Sequence, residues 1–195
     1  MRLGIFGGTF NPIHLGHLLL AETARETLAL DRVLFIPVQQ PPHKRLRDLL
    51  PGPARMALIE LAIRDHPAFV ASDIELARPG PSYSIETVRI LRRQFPAAKL
   101  FLLIGEDMLA VGWLAWGELR RLCTVAAAHR PDSPRPASGR GVRWLPMPRL
   151  DIASSDIRKR LAAGRSIRYL VPGAVERHIR QHQLYQRAGL PRRDT

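Results

Sequence analysis

Cysteine is almost missing from this chain: Cys123 stands alone, so no intrachain disulfide and no thiolate metal cluster can form. No apolar run is long enough to span a bilayer, and the stretch Leu18–Leu20 soon gives way to Glu22, which excludes a membrane helix. The opening Met1-Arg2-Leu3-Gly4 lacks the extended apolar region and small-residue cleavage site of a signal peptide. These gaps together lead us to expect a cytoplasmic protein with no membrane partner. Aromatic residues make up only 6% and are scattered, which argues against a stacking surface for single-stranded nucleic acid. Acidic residues are also few: 17 against 30 basic ones, a net charge of +13. Such a surplus attracts anions. The basic residues are mostly arginine, with lysine only at 44, 99 and 159, and they are spread along the chain. Charge alone therefore does not choose between a nucleotide and a polymer.

What is present is the composition of a globular domain: 195 residues, 46% hydrophobic and 24% charged, enough for one substantial core. Short β-like runs alternate with helical patterns, which predicts an α/β fold with a doubly wound, mostly parallel sheet and C-terminal helices. Strands are expected at Arg2–Phe6, Arg32–Val38, Phe69–Ala71, Lys99–Ile104, Cys123–His129 and Val142–Leu145. Lys99–Ile104 is apolar without a break after its lysine, as in a strand buried on both faces. Helices are expected at Leu15–Leu28, Pro53–Asp65, Ser84–Gln94, Ser154–Ala163 and Pro172–His182. In the second of these, Met56, Ile59 and Ile63 share one face. Serine caps or first-turn prolines open the last two. Residues 130–143, rich in Pro, Ser, Gly and Arg, read as a loop. We expect a single domain over 1–187 and a loose tail over 188–195.

The informative segment is Gly7-Gly8-Thr9-Phe10-Asn11-Pro12-Ile13-His14-Leu15-Gly16-His17. It lies where the first strand hands over to its helix, the place where open α/β sheets bind ligands. Glycines there let backbone N–H groups approach a phosphate, and the helix N-terminus adds donors and positive dipole. His14 and His17, three apart, can face the same side and stabilise charge building on phosphate oxygens. No G-x-G-x-x-G and no G-K-[ST] is present, so this is neither the dinucleotide fingerprint nor a P-loop.

The segment resembles the H-x-G-H signature of the nucleotidyltransferase superfamily, preceded by G-G-T-F-x-P. Further stretches resemble the nicotinate-nucleotide adenylyltransferases within it. These are Pro41-Pro42-His43-Lys44, Ser82-Tyr83-Ser84, Ile104-Gly105-Glu106-Asp107-Met108-Leu109, and Ser154-Ser155-Asp156-Ile157-Arg158. The resemblance runs from Leu3 to about Tyr185. It implies transfer of AMP from ATP to nicotinate mononucleotide, giving nicotinate adenine dinucleotide and pyrophosphate in NAD biosynthesis. It implies catalytic roles for His14, His17, Lys44 and Arg158. ATP would lie on Gly7, Gly8, Thr9, Phe10, Gly105, Asp107, Ser154 and Ser155. Nicotinate mononucleotide would lie on Ser82, Tyr83, Ser84 and Trp113, with Trp116 as the other candidate for the stacking ring. Mg²⁺ would arrive with ATP, with no protein-held metal site. Three departures stand out: Asn11 where Asp is common, and Ser84 and Asp156 where Thr is common.

Each motif also has a plainer reading. Gly7 and Gly8 suit any tight turn, Ser84 and Ser154 or Ser155 suit helix caps, and one of the two tryptophans suits the core. His178 and His182 are four apart without a glutamate, so they read as surface histidines rather than a metal pair. Cys123 reads as a small buried hydrophobe. Rival activities are a nicotinamide-mononucleotide or phosphopantetheine adenylyltransferase, a cytidylyltransferase, or a basic nucleic-acid-binding module. We expect no nucleic-acid partner; a homo-oligomer remains open.

Overall fold

A computed structural model describes residues 1–41, 48–129, 141–148 and 150–185. Lys44, with its neighbours Pro42 and His43, lies outside the described residues, as does the tail at 188–195. Six strands form one sheet: β1 (Arg2–Gly8), β2 (Arg32–Pro37), β3 (Phe69–Ala71), β4 (Lys99–Ile104), β5 (Thr124–His129) and β6 (Arg143–Pro146). Their order is β3-β2-β1-β4-β5-β6, and every pairing is parallel, where the sequence suggested only a mostly parallel sheet. The chain works outward from β1 to β3 and then crosses to β4 on the other side of β1. Strand order therefore reverses between β1 and β4, which opens a crevice at their carboxyl ends.

Alternation along each strand fills both faces. Phe6, Val33, Phe35, Phe101, Leu103 and Ala126 point into one core, packed by α1 (Leu15–Thr27), α2 (Gly52–Ile63), α5 (Ser154–Ala162) and α6 (Gly173–Gln181). Leu3, Ile5, Leu34, Ile36, Leu102 and Val125 point into the other, packed by α3 (Ser84–Gln94) and α4 (Trp116–Leu122). A strand apolar on both sides has no solvent face to spare, which is why Lys99–Ile104 carries an unbroken apolar run.

Several boundaries differ from expectation for local reasons. β1 continues through Gly7 and Gly8, which pair with Ile36 and Pro37; the ladder outweighs glycine's weak strand preference. β5 starts at Thr124 because Cys123 ends α4, its backbone N–H donating to Leu119 O at 3.0 Å. The serine caps do not form. Tyr83 holds the cap position of α3, Ala153 that of α5 and Pro172 that of α6, none with a side-chain cap. On α2, Arg55, Leu58, Ile59 and Ile63 make the buried face, with Met56 only half-buried. The spacing of Trp113, Trp116 and Leu119 is helical, and α4 covers the last two of them; a 3₁₀ turn at Glu106–Ala110 was not anticipated. Cys123 is buried as expected, and burial pushes its thiol up to about 12.

Candidate active site

The turn from β1 into α1 is built around its two histidines. His14 is the extended cap residue of α1, and its backbone N–H donates to Nδ1 of His17 at 3.2 Å. An Nδ1 that accepts leaves the proton of a neutral ring on Nε2, so His17 keeps a donor for a ligand. The two rings stack with centroids 3.7 Å apart, and a side chain on Gly16 would meet the His14 ring at 3.1 Å. The glycine of H-x-G-H therefore makes room for the first histidine. His17 also packs on Phe10 and Phe6, at 5.0 and 6.0 Å. Burial holds His14 down at about 4. Burial, reinforced by His14, holds His17 well below the usual histidine range. Both rings are thus neutral donors at neutral pH.

A cavity of about 310 Å³ opens at the carboxyl ends of β1 and β4, at the small end of ordinary ligand sites. Its walls bring together Gly7 and Gly8 of β1 and Thr9 just after it with Gly105 and Asp107 just after β4. Ser82, Tyr83 and Ser84 close it from the start of α3, and Trp113 from the segment before α4. Nine residues predicted from separate motifs thus share one wall. The space beside Gly7 is open within 4 Å, whereas a side chain on Gly8 would meet the Phe10 ring at 2.9 Å. The first glycine therefore clears the ligand side, and the second clears the core side. Phe10 is itself buried and left-handed, φ 47°, so only its backbone can serve a ligand. Trp113 is anchored by Nε1 donating to Met108 O at 2.7 Å. Trp116 packs 5.6 Å from it as the first residue of α4 and does not line the cavity.

The carboxyl-terminal motif comes to the same turn from the other side. Ser154 donates to Pro12 O at 2.9 Å, and Nη1 of Arg158 donates to Asn11 O at 2.8 Å. Ser155 is exposed. Neither serine, nor Arg158, nor either histidine lines the cavity. They form a second cluster joined to it by residues 9–12.

The comparisons with known proteins bear on these two clusters. Residues 5–160 match the model of the cytidylyltransferase-like family. The chain is 47% identical to a Thermus thermophilus protein named "probable nicotinate-nucleotide adenylyltransferase", covering 95% of this chain and all of that one. It is 43% identical to a protein of the same name from Thermomicrobium roseum, over 95% of this chain and 92% of the relative. The chain belongs to the nicotinate-nucleotide adenylyltransferase family. In fold, this family member is similar to Plasmodium falciparum nicotinic acid mononucleotide adenylyltransferase complexed with NaAD. The TM-score is 0.80 at 15% identity, covering 94% and 97% of the two chains.

Two buried polar residues of this adenylyltransferase-family chain escaped the sequence reading. Arg55, only 1% exposed, donates to Thr9 O, Val38 O and Leu50 O at 2.8–2.9 Å. It thereby ties the glycine turn to both flanks of the segment that carries Lys44. The signal was an arginine on the apolar face of α2, in register with Ile59 and Ile63. Asn11 closes the same arrangement. Its Nδ2 donates to Asp48 O at 2.8 Å, and its Oδ1 accepts from Leu50 N–H at 3.2 Å and from the Tyr185 hydroxyl at 2.9 Å. An aspartate could accept but not donate, which gives the Asn11 departure a physical content. The second missed residue is Glu75, buried at the cavity wall. Among the described residues no three histidine, cysteine or acidic side chains gather as a metal site. No helix of the described residues is long and apolar enough to cross a membrane.

Proposed function

We propose that this chain transfers AMP from ATP to nicotinate mononucleotide, releasing pyrophosphate. The observation that carries the reading is the juxtaposition of a ring-sized cavity with an aromatic wall and a helix start presenting two neutral histidines. The names of the relatives point the same way. In this reading the pyridine ring enters between Trp113 and the Ser82–Ser84 turn, where the N-terminus of α3 suits a carboxylate. ATP spans Gly7–Thr9, Gly105 and Asp107, and its phosphates reach His14, His17, Ser154, Ser155, Arg158 and Lys44.

An oxygen of the mononucleotide phosphate attacks the α-phosphorus of ATP. The new O–P bond forms as the bond to the bridging oxygen breaks, and pyrophosphate leaves with that electron pair. No general base is needed, because a phosphate dianion is already a nucleophile near neutral pH. The protein contributes positioning and fixed donors. His17 donates from Nε2, and Arg158 brings a permanent charge within reach of the triphosphate. Mg²⁺ carried with ATP would supply charge neutralisation at the phosphates.

The test is pyrophosphate release from ATP and Mg²⁺ with nicotinate mononucleotide, nicotinamide mononucleotide or phosphopantetheine. Strong preference for nicotinate mononucleotide is expected. Release only with another acceptor overturns the substrate, and silence with all three overturns the reaction.

A further inference from the structure

Glu75 sits in the turn between β3 and α3 and is 3% exposed, yet it lines the acceptor cavity. Its Oε1 accepts from the Thr87 hydroxyl at 2.6 Å, and Thr87 in turn accepts from Nη2 of Arg78 at 3.0 Å. Oε2 is buried with no hydrogen-bond partner among the described residues; the Ser82 hydroxyl favours the charged form without bonding that oxygen. Ser82 is itself pinned, accepting from Gln39 N–H at 2.9 Å and donating its own N–H to Gln40 O at 2.9 Å. The carboxyl therefore lies behind a fixed turn, beside the backbone that faces the pyridine ring in the reading above, on which this inference rests.

Other charges at the cavity are few. Glu75 and Asp107 are the charged side chains among the described residues that line it. Arg78 stands behind Thr87, and on α3 Glu86 is taken up by Arg89 at 2.6 Å. One proton on Glu75 therefore changes the charge of that wall substantially. A nicotinate ring carries a carboxylate and a nicotinamide ring does not; the two mononucleotides are otherwise alike.

We propose that Glu75 is a specificity-determining residue: neutral, it leaves the α3 N-terminus free to receive a carboxylate, and ionised, it repels that carboxylate and moves the cavity toward an uncharged ring. Burial raises the Glu75 carboxyl above the ordinary range, outweighing Thr87, Ser82 and Arg78, which pull the other way. The neutral form therefore survives to higher pH than at an exposed glutamate.

The experiment measures kcat/KM for nicotinate and nicotinamide mononucleotides from acid through alkaline pH, and takes their ratio. The ratio cancels the titration of the phosphate they share and of the histidines that serve both. In the wild-type protein the preference for nicotinate should fall by about tenfold or more as Glu75 ionises, the size expected of one unit charge within about 10 Å at an effective dielectric near 20. Glu75→Gln keeps the shape and hydrogen bonding of the neutral acid, so its ratio should stay high and flat. Asp107→Asn should keep the wild-type slope. A flat ratio in the wild type overturns the inference even if Glu75→Gln fails to fold. A Glu75→Gln ratio that falls like the wild type also overturns it. Turnover of neither mononucleotide overturns the proposed function and this inference together, whereas turnover with a flat ratio overturns this inference alone.

Discussion

At the scale of single residues, the two histidines link stability to pH in a direction set by burial. His14 titrates at about 4 in the folded chain against 6.5 for the free side chain. Between those values the unfolded chain binds more protons, so stability falls as pH drops from about 6.5 and levels off near 4. The size is about 3 kcal/mol for His14, and His17 adds to it with the same sign. Urea unfolding at neutral and acid pH should show this slope, and His14→Gln should lose a large part of it. An unchanged slope in that variant would mean that His14 is not held neutral. His17 also carries a kinetic prediction. If its Nε2 donates to phosphate oxygens in the transition state, His17→Ala should lose a few kcal/mol of barrier lowering, roughly a hundred- to thousandfold in kcat. Unimpaired turnover in a folded His17→Ala protein would remove it from the machinery.

At the scale of elements, two clusters meet at one turn, and each should fail separately. Trp113→Ala strips the cavity wall and should raise KM for the mononucleotide while leaving that for ATP near its original value. Arg158→Ala should do the reverse. Steady-state kinetics with each substrate varied in turn separates the two, and equal changes in both constants would refute the division. Arg55 holds the clusters in register. Its guanidinium serves three buried carbonyls and no carboxylate, so Arg55→Met leaves those acceptors without donors. A loss of about 3 kcal/mol in chemical unfolding is expected, partly restored by Arg55→Lys. These cases mark what a sequence can disclose. Parallel strands and the first turn were legible because periodicity and glycine spacing are local properties of the backbone. The helix caps were misjudged because serine competes for that position only if no tertiary partner claims it, and Ser154 donates to Pro12 O instead. Arg55 and Glu75 were invisible as site residues because their partners lie 5–46 and 12 positions away. That Trp113, the residue preferred from the sequence, lines the cavity while Trp116 does not depends on the path of the chain between β4 and α4.

At the scale of the whole molecule, the surplus of 13 positive charges acts at long range. Many acidic side chains are already engaged: Glu22 with Arg25, Glu118 and Glu86 with Arg89, Glu176 with Arg180, and Asp156 with Lys159. The field beyond the surface is therefore positive, while the acceptor cavity itself is lined by two acids and no base among the described residues. Both histidines are neutral as well, so the local positive charge offered to a polyphosphate at the first turn rests on Arg158. Steering by the distributed arginines supplies the attraction that the pocket walls lack. Screening acts on such steering before it acts on contacts, because the Debye length shrinks to about 8 Å at physiological ionic strength. Raising salt should therefore lower kcat/KM for ATP and for the mononucleotide several-fold while kcat hardly changes, the change residing in association. A salt series in steady-state kinetics decides it. If kcat/KM is flat and kcat falls instead, the basic surplus is not steering substrate, and salt is acting on the bound complex through Arg158 and its neighbours.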